Sequence, residues 1–347
     1  MTLKIGYFPL SDNLSHPGDR RRIAYWAKKN SHELIINPSS KVDVVVMSER
    51  ANFGRIMPSF HETPVILDLV DAYLEKENVA KDFIRGFSKI AIGDLRSRPR
   101  SFSAIIRDVC VNSHAVICSS PEQLESLKSY NKNIHVILDS HDEFEFRSYE
   151  NYKHGESSNL LWEGMPFTLD GFRQISEALL KFMDREQLHL NLLTDLKFHK
   201  FLGKFRESDT QDLLSKIFFK QVSRINLQQW SIMNLQAASQ KAILGVLPVD
   251  INNPIQFLKP ENRLLIMWRL GLPAVVANTP AYSRVSDAVG INIIPKSYDD
   301  WVDLMSYMIK DPEYARFTLQ EGQKYLNEYH NYDTFDSAWK HAIGSVL

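Results

Sequence analysis

Residues 258–285 read LKPENRLLIMWRLGLPAVVANTPAYSRV, and this stretch decides the fold. A basic residue, Lys259, precedes Pro260, and an apolar run with helical spacing follows to Leu270. Proline is favoured at the first helical position and glycine just past the last. The pattern therefore predicts a helix opening at Pro260 and closing at Gly271. Pro273 turns the chain. Residues 274–277 have the continuous apolar character of a buried strand, and Asn278-Thr279-Pro280 is a loop before the next helix. The unit is helix, tight turn, strand, loop, helix. A helix start with free N–H groups and a lysine beside it is suited to an anion. Lys259, Asn262 and Arg263 are the phosphate candidates, Arg as a forked donor and Lys as a point charge. The alternative is an ordinary αβ unit with solvated charges.

Working outward, the same alternation fills the chain. Before residue 141, strands are predicted at 3–8, 42–47, 64–68, 115–118 and 135–138. Helices are predicted at 20–29, 79–92, 102–111 and 121–130. The run VDVVVM at 42–47 is that of a strand buried on both faces. Residues 142–158, DEFEFRSYENYKHGESS, are polar and aperiodic, and read as a connection between domains. Alternation then restarts, with strands at 160–162, 190–193, 222–226, 244–249, 274–277 and 291–294. Helices are expected at 168–182 and 212–219, and from Trp301 onward the chain is almost wholly helical. Two parallel-sheet α/β domains follow from this order.

The segment 244–339 resembles the nucleotide-sugar-binding half of GT-B glycosyltransferases, in the retaining, glycogen-synthase-like branch. Gly271-Leu272-Pro273-Ala274-Val275-Val276-Ala277 matches the turn and strand of that family. The opening Lys-Pro-x-Asn-Arg at 259–263 resembles transferases that build bacterial surface polysaccharides. The resemblance implies a GT-B fold of two Rossmann-like domains. Residues 1–145 would form an acceptor domain and 146–330 a nucleotide-sugar domain, with a terminal helix at 331–347 crossing back to the first. It implies a glycosyltransferase that uses a UDP- or GDP-sugar as co-substrate, with no separate cofactor and no metal. The acceptor would be a glycan or lipid-linked sugar, and the pathway polysaccharide or lipopolysaccharide assembly. Two other readings stay open: a catalytically silent GT-B-like protein that binds a sugar nucleotide or a partner, and a sugar-nucleotide epimerase.

One departure stands out. The family carries Gly-Arg and then Lys-Gly after the first strand of the second domain, and both cations grip the diphosphate. Here Gly164 matches, but Met165 replaces the arginine and Leu169 or Asp170 the lysine. A replacement is expected in the loop after the first strand, LSDNLSHPGDRRR at 10–22, which in the family sits against the donor phosphates. It offers Gly18, with Arg20 and Arg21 as catalytic cations and Asp19 as the expected helix cap. Three arginines in a first helical turn oppose the helix dipole. Asp71, after the strand 64–68, and His16 are the acid–base candidates. Asp68 is expected to be structural. Tyr282 is a candidate for the sugar pocket. Thr194, beside Asp195, and Asp250 follow strands and are nucleotide candidates, since open α/β sheets bind ligands beyond their strands' carboxyl ends.

Composition narrows the class. The chain has 347 residues, 44% hydrophobic and 24% charged, with formal net charge −1, so bulk electrostatics favour no nucleic acid. Two cysteines, Cys110 and Cys118, have no metal spacing and suit a reducing compartment. No secretory signal opens MTLKIGYFPL, and no run nears ~18 apolar residues. A cytoplasmic protein is expected, with peripheral contact with the inner membrane surface compatible with its pathway. No Asp-x-Asp pair suits Mg²⁺, and Asp139 with His141 is only a weak metal candidate.

Overall fold

The computed structural model describes residues 2–74, 79–91, 93, 95–153, 157–200, 205–219 and 221–347. The chain forms two compact units. The first holds residues 1–140, 258–260 and 330–347, and the second 141–257 and 261–329.

The first unit is built on six parallel strands: β1 (Lys4–Phe8), β2 (Glu33–Ile36), β3 (Val44–Ser48), β4 (Val65–Leu69), β5 (Ala115–Cys118) and β6 (Ile134–Val136). Their order is β2-β1-β3-β4-β5-β6. The central strands β3, β4 and β5 are buried at every position, which explains their unbroken apolar runs. Alternate side chains feed two cores. Val45, Met47 and Leu67 join Phe102 and Ile106 on one face. Val44, Val46 and Ile66 join Trp26 and Trp339 on the other. Trp339 comes from the last helix, Tyr332–Gly344, together with Phe335, Ala342 and Ile343. Trp26 and Trp339 stack at 6.1 Å between ring centroids, and Trp26 Nε1 donates to Asp336 at 2.9 Å.

The second unit carries a five-stranded parallel sheet of β7 (Asn159–Glu163), β8 (His189–Thr194), β11 (Ile225–Gln229), β12 (Leu244–Leu247) and β13 (Ala274–Val276). Beside it lies an antiparallel pair, β9 (Lys197–Lys200) and β10 (Phe205–Asp209). The sheet order is β11-β8-β7-β12-β13. The helix Asn262–Arg269 buries Leu264, Leu265, Ile266, Met267 and Trp268. It ends as its sequence dictates. Gly271 takes φ +73°, Leu272 N–H donates to Met267 O at 2.9 Å, and Gly271 N–H donates to Trp268 O at 3.0 Å. That is the Schellman pair of bonds, which only a left-handed residue completes without strain.

The structure corrects several expectations. The helix expected from Pro260 starts at Asn262, because Glu261 O accepts the first helical bonds from Leu264 and Leu265. The expected strand at 291–294 is irregular, and its described link to the sheet is a bond from Val276 N–H to Ile293 O. The expected helix at 168–182 is a 3₁₀ helix, Pro166–Gln174, followed by an α-helix, Ser176–Arg185. Gly171 presses there on the backbone of Pro248, where an added Cβ would lie 2.7 Å from the carbonyl oxygen. The polar segment expected to connect domains is tied into the second unit. Asp142 and Phe144 O hold Arg269, and Tyr152 donates to Ile243 O. Residues 154–156 of that segment, and Ile92 at the end of an expected helix, lie outside the described residues. The strand β2 and the β9–β10 pair were not anticipated.

Candidate functional site

In the first unit the order β2-β1-β3 reverses direction between β1 and β3, and ligands of open α/β sheets bind beyond the carboxyl ends at such a point. Three loops leave the sheet there. After β1, Asp19 organises residues 9–19. Its carboxylate accepts from Tyr7 Oη at 2.6 Å, Leu10 N–H at 2.7 Å, and the N–H and hydroxyl of Ser11 at 2.9 and 2.7 Å. Asp19 is therefore not the helix cap expected from the sequence. That role falls to His16, whose Nδ1 accepts from Gly18 N–H at 3.1 Å. Gly18 is a packing glycine, since a Cβ would stand 2.6 Å from Leu10 Cδ1. After β3 come Glu49 and Arg50, and Arg50 Nη1 donates to Leu10 O at 3.2 Å. After β4 come Val70 and Asp71.

These loops assemble an acid–base cluster. Lys259 pairs with Asp71 at 3.0 Å, the two side chains 31% and 22% exposed. Burial alone would raise the Asp71 carboxyl, but Lys259, His16 and Arg50 together hold it below the usual range. Glu49 is 4% exposed and accepts from Val70 N–H at 3.2 Å. Burial first, and then the charge of Asp71, push it up to about 8. Two neighbouring carboxyl groups in one low-dielectric site do not both ionise readily. Lysine stabilises the charge on Asp71, and Glu49 keeps its proton near neutral pH. His16 is pushed down to about 4, by burial and then by Arg50, so it is neutral. Its accepting Nδ1 then leaves the ring proton on Nε2. The site thus presents a carboxylate, a protonated carboxyl group and a neutral imidazole close together, a set able to accept and return a proton.

The arginine triplet divides. Arg22 is wholly buried, bonds Asp68 at 2.5–3.2 Å, and reaches Asp139 at 3.3 Å and Ile137 O at 2.6 Å. It is structural, as expected of Asp68, and Asp139 is committed to it. Arg21 is 6% exposed, not a solvated turn, and its carbonyl accepts from Ser140. Arg20 is half-buried and donates to Ser15 O.

In the second unit the sheet reverses between β7 and β12. Glu163 ends β7, is 6% exposed, and accepts from Trp230 Nε1 at 3.1 Å. The helix Asn262–Arg269 brings Arg263 to the same edge, where its guanidinium lies 6.0 Å above the Trp162 ring. Tyr282, 3% exposed at the start of the helix Pro280–Val289, hydrogen-bonds Arg263. Burial raises its hydroxyl, Arg263 opposes that rise, and Glu163 adds to it. Among the described residues, Arg263 Nη1, Asn262 Oδ1 and Thr194 Oγ1 are buried without a hydrogen-bond partner. Glu261, fully buried, is clamped by Arg284 at 3.0 and 3.1 Å. Asp250 caps a turn through Asn252 N–H at 3.1 Å, and Asp195 accepts from Gln229. Leu169 is buried and Asp170 pairs with Arg173.

Arg263 and Tyr282 are therefore brought together, and His16 and Asp71 share one cluster. Lys259 joins that cluster through Asp71. Glu49 and Arg50 were missed by sequence reasoning. Their signal is the polar Ser48-Glu49-Arg50 directly after the apolar run of β3.

Two doubly wound α/β units, each with polar groups gathered at its carboxyl edge, define the GT-B fold. Solved structures share it along the whole chain. HepE from Anabaena, in complex with UDP and glucose, matches with TM-score 0.64 at 10% identity, over 99% of this chain and 100% of that one. WaaG, a glycosyltransferase involved in lipopolysaccharide biosynthesis, matches with TM-score 0.56 at 13% identity, over 99% and 98%. TarM matches with TM-score 0.61 at 10% identity over 86% of this chain, which spans only 54% of TarM. No family model and no curated protein matches the sequence. Among the described residues no helix is long and apolar enough to cross a membrane, and no three His, Cys, Asp or Glu residues are grouped to hold a metal.

Proposed function

We propose that this chain is a glycosyltransferase that moves a sugar from a UDP- or GDP-sugar to a glycan or lipid-linked acceptor, in bacterial surface polysaccharide or lipopolysaccharide assembly. The observation that carries this reading is Arg263. It is a cation at the carboxyl edge of the second sheet, beside the strand reversal, with Nη1 buried and unpartnered among the described residues. Buried donors of that kind call for an acceptor, and a diphosphate offers several in the planar geometry that arginine prefers. Arg263 would serve the leaving group in place of the cations replaced by Met165 and Leu169. HepE, whose structure holds UDP and glucose, supports the choice of ligand class. The cluster of Glu49, Asp71, His16 and Lys259 would orient the acceptor hydroxyl and take up its proton. Retention at the anomeric carbon is the stereochemistry that the sequence resemblance favours. Compensation by side chains rather than a metal implies that EDTA leaves turnover unchanged.

A thermal-shift screen against UDP-, GDP-, CMP- and dTDP-sugars tests the reading, because a ligand of the native state raises the melting temperature. One sugar nucleotide should raise it, and Arg263→Gln should weaken that ligand about 10–100-fold, the worth of one charge-assisted contact. No shift with any nucleotide, or an Arg263→Gln variant that binds as the parent does, refutes it. The uncharged Met165 and Leu169 also fit a silent sugar-nucleotide binder, which would bind without releasing nucleoside diphosphate to any glycan acceptor.

A further inference from the structure

Three aromatic residues of the second unit form a run at its surface while their polar ends are tied to the protein. Tyr307, on the helix Tyr298–Lys310, is 49% exposed, and Phe317, on the helix Pro312–Tyr329, is 43% exposed. Tyr314, half-buried, contacts both. Its ring centroid is 4.9 Å from that of Tyr307 and 6.3 Å from that of Phe317. The rings are inclined to it by 43° and 35°, nearer parallel than perpendicular. A surface tyrosine ordinarily sends its hydroxyl to water. Here the Tyr314 hydroxyl donates to Asn292 O at 3.0 Å and accepts from Asn292 N–H at 3.1 Å. The Tyr307 hydroxyl bonds Asp311, whose Oδ1 accepts from Tyr314 N–H at 2.9 Å. The hydroxyls are engaged within the protein, so the run offers carbon surface outward, in a fixed arrangement.

Size and charge select the partner. At these exposures Tyr307 and Phe317 together present about 200 Å². A stable protein interface takes about 800 Å² from each partner, so the run is too small for one. The charges between Tyr307 and Phe317 cancel, Lys310 and Arg316 against Asp311 and Glu313. That balance gives no pull toward an anionic bilayer or a nucleic acid. A pyranose ring suits both properties. Its axial C–H bonds make an apolar, weakly positive face about as large as one aromatic ring, which complements the negative face of the π-system. Its hydroxyls stand at the rim. Lys310 lies one turn from Tyr307 and Glu313 one turn from Phe317, both exposed, and they supply a donor and an acceptor for such hydroxyls. Rings already held by hydrogen bonds lose little further freedom on binding.

We propose that Tyr307, Tyr314 and Phe317 form a platform that holds a neutral glycan by stacking against its sugar rings. The platform uses no residue of the two clusters at the carboxyl edges, so it stands whether or not the chain transfers a sugar. Isothermal titration of the full chain with cellohexaose, chitohexaose and maltoheptaose tests it. At least one of the three should bind the parent. Phe317→Leu keeps an apolar side chain without the ring and should weaken that oligosaccharide about tenfold or more. Phe317→Trp restores a ring and should bind it at least as tightly as the parent. Tyr307→Leu should weaken it as Phe317→Leu does. The Phe317 variants should keep the parent's melting temperature, because that ring is exposed. The proposal is overturned if the parent binds none of the three, or if both leucine variants bind as the parent does. It is also overturned if size-exclusion chromatography shows a dimer that Phe317→Leu breaks while no oligosaccharide binds either form.

Discussion

Glu49 shows how one residue combines a stability cost with a chemical capacity. Its folded carboxyl is raised to about 8 by burial and by Asp71, from an ordinary value of 4.5. Between those values the folded chain binds more protons than the unfolded one. Its contribution is therefore fully present below about pH 4.5 and lost as pH rises through about 8. Gln keeps the shape of the protonated acid and cannot ionise. Glu49→Gln should match the parent's melting temperature near pH 4.5 and exceed it by about 3 °C or more at pH 9, since 1 kcal/mol is worth about 2–4 °C in domains of this size. Parallel melting curves across that range would remove Glu49 from the cluster. Turnover of the same variant should fall at every pH if the proton on Glu49 is used. None of this is written in the sequence around Glu49. The shift arises because Asp71 arrives from the next strand's loop, with Lys259 paired to it from 188 positions further along the chain. Asp71 and His16 could be nominated from the sequence because each follows a recognisable strand, and the structure brings them close together. That Lys259 would pair with Asp71 was not legible, because the local pattern reads Lys259 as part of the helix start.

At the scale of elements, the sequence was most informative where local chemistry has one solution. The turn after the helix Asn262–Arg269 is such a place. Gly271 has φ +73°, and a Cβ there would also stand 2.8 Å from the carbonyl oxygen of Arg147. Gly271→Ala should cost the second unit about 1–3 kcal/mol from the left-handed backbone and the forced contact. Urea denaturation with an unchanged slope would measure it, and a loss below about 0.5 kcal/mol would contradict the account. The apolar runs of β3, β4 and β5 were legible for a similar reason, since only a strand covered on both faces needs them. The half-buried β2, with the pattern Glu33-Leu34-Ile35-Ile36, lies at the sheet edge and carries no such signature. The region 291–294 carries the apolar signature of a strand but pairs irregularly, so burial alone produced that pattern.

At the scale of the whole molecule, the first unit is assembled from stretches far apart in the sequence, residues 2–140 with 258–260 and 330–347. Its second core needs Phe335, Trp339, Ala342 and Ile343 from the helix Tyr332–Gly344. Losing a buried Trp or Phe to Ala costs about 3–5 kcal/mol each, against a total stability of about 5–15 kcal/mol for a domain. A chain ended after Tyr329 should therefore keep a folded second unit and lose the first. Limited proteolysis should leave fragments from residues 141–329 protected and those from 2–140 degraded. Equal resistance of both would show that the terminal helix contributes little. The same arrangement sets an order for synthesis. Residues 2–140 leave the ribosome well before Trp339, the tryptophan that closes their core. The second unit lacks none of its residues once Tyr329 is out, so it can be complete while the first still has Trp26 uncovered. Until Trp339 emerges the first sheet is a client for whatever shields exposed apolar surface, and a chain stalled or released before that point exposes that surface to proteases as a mark of its incompleteness.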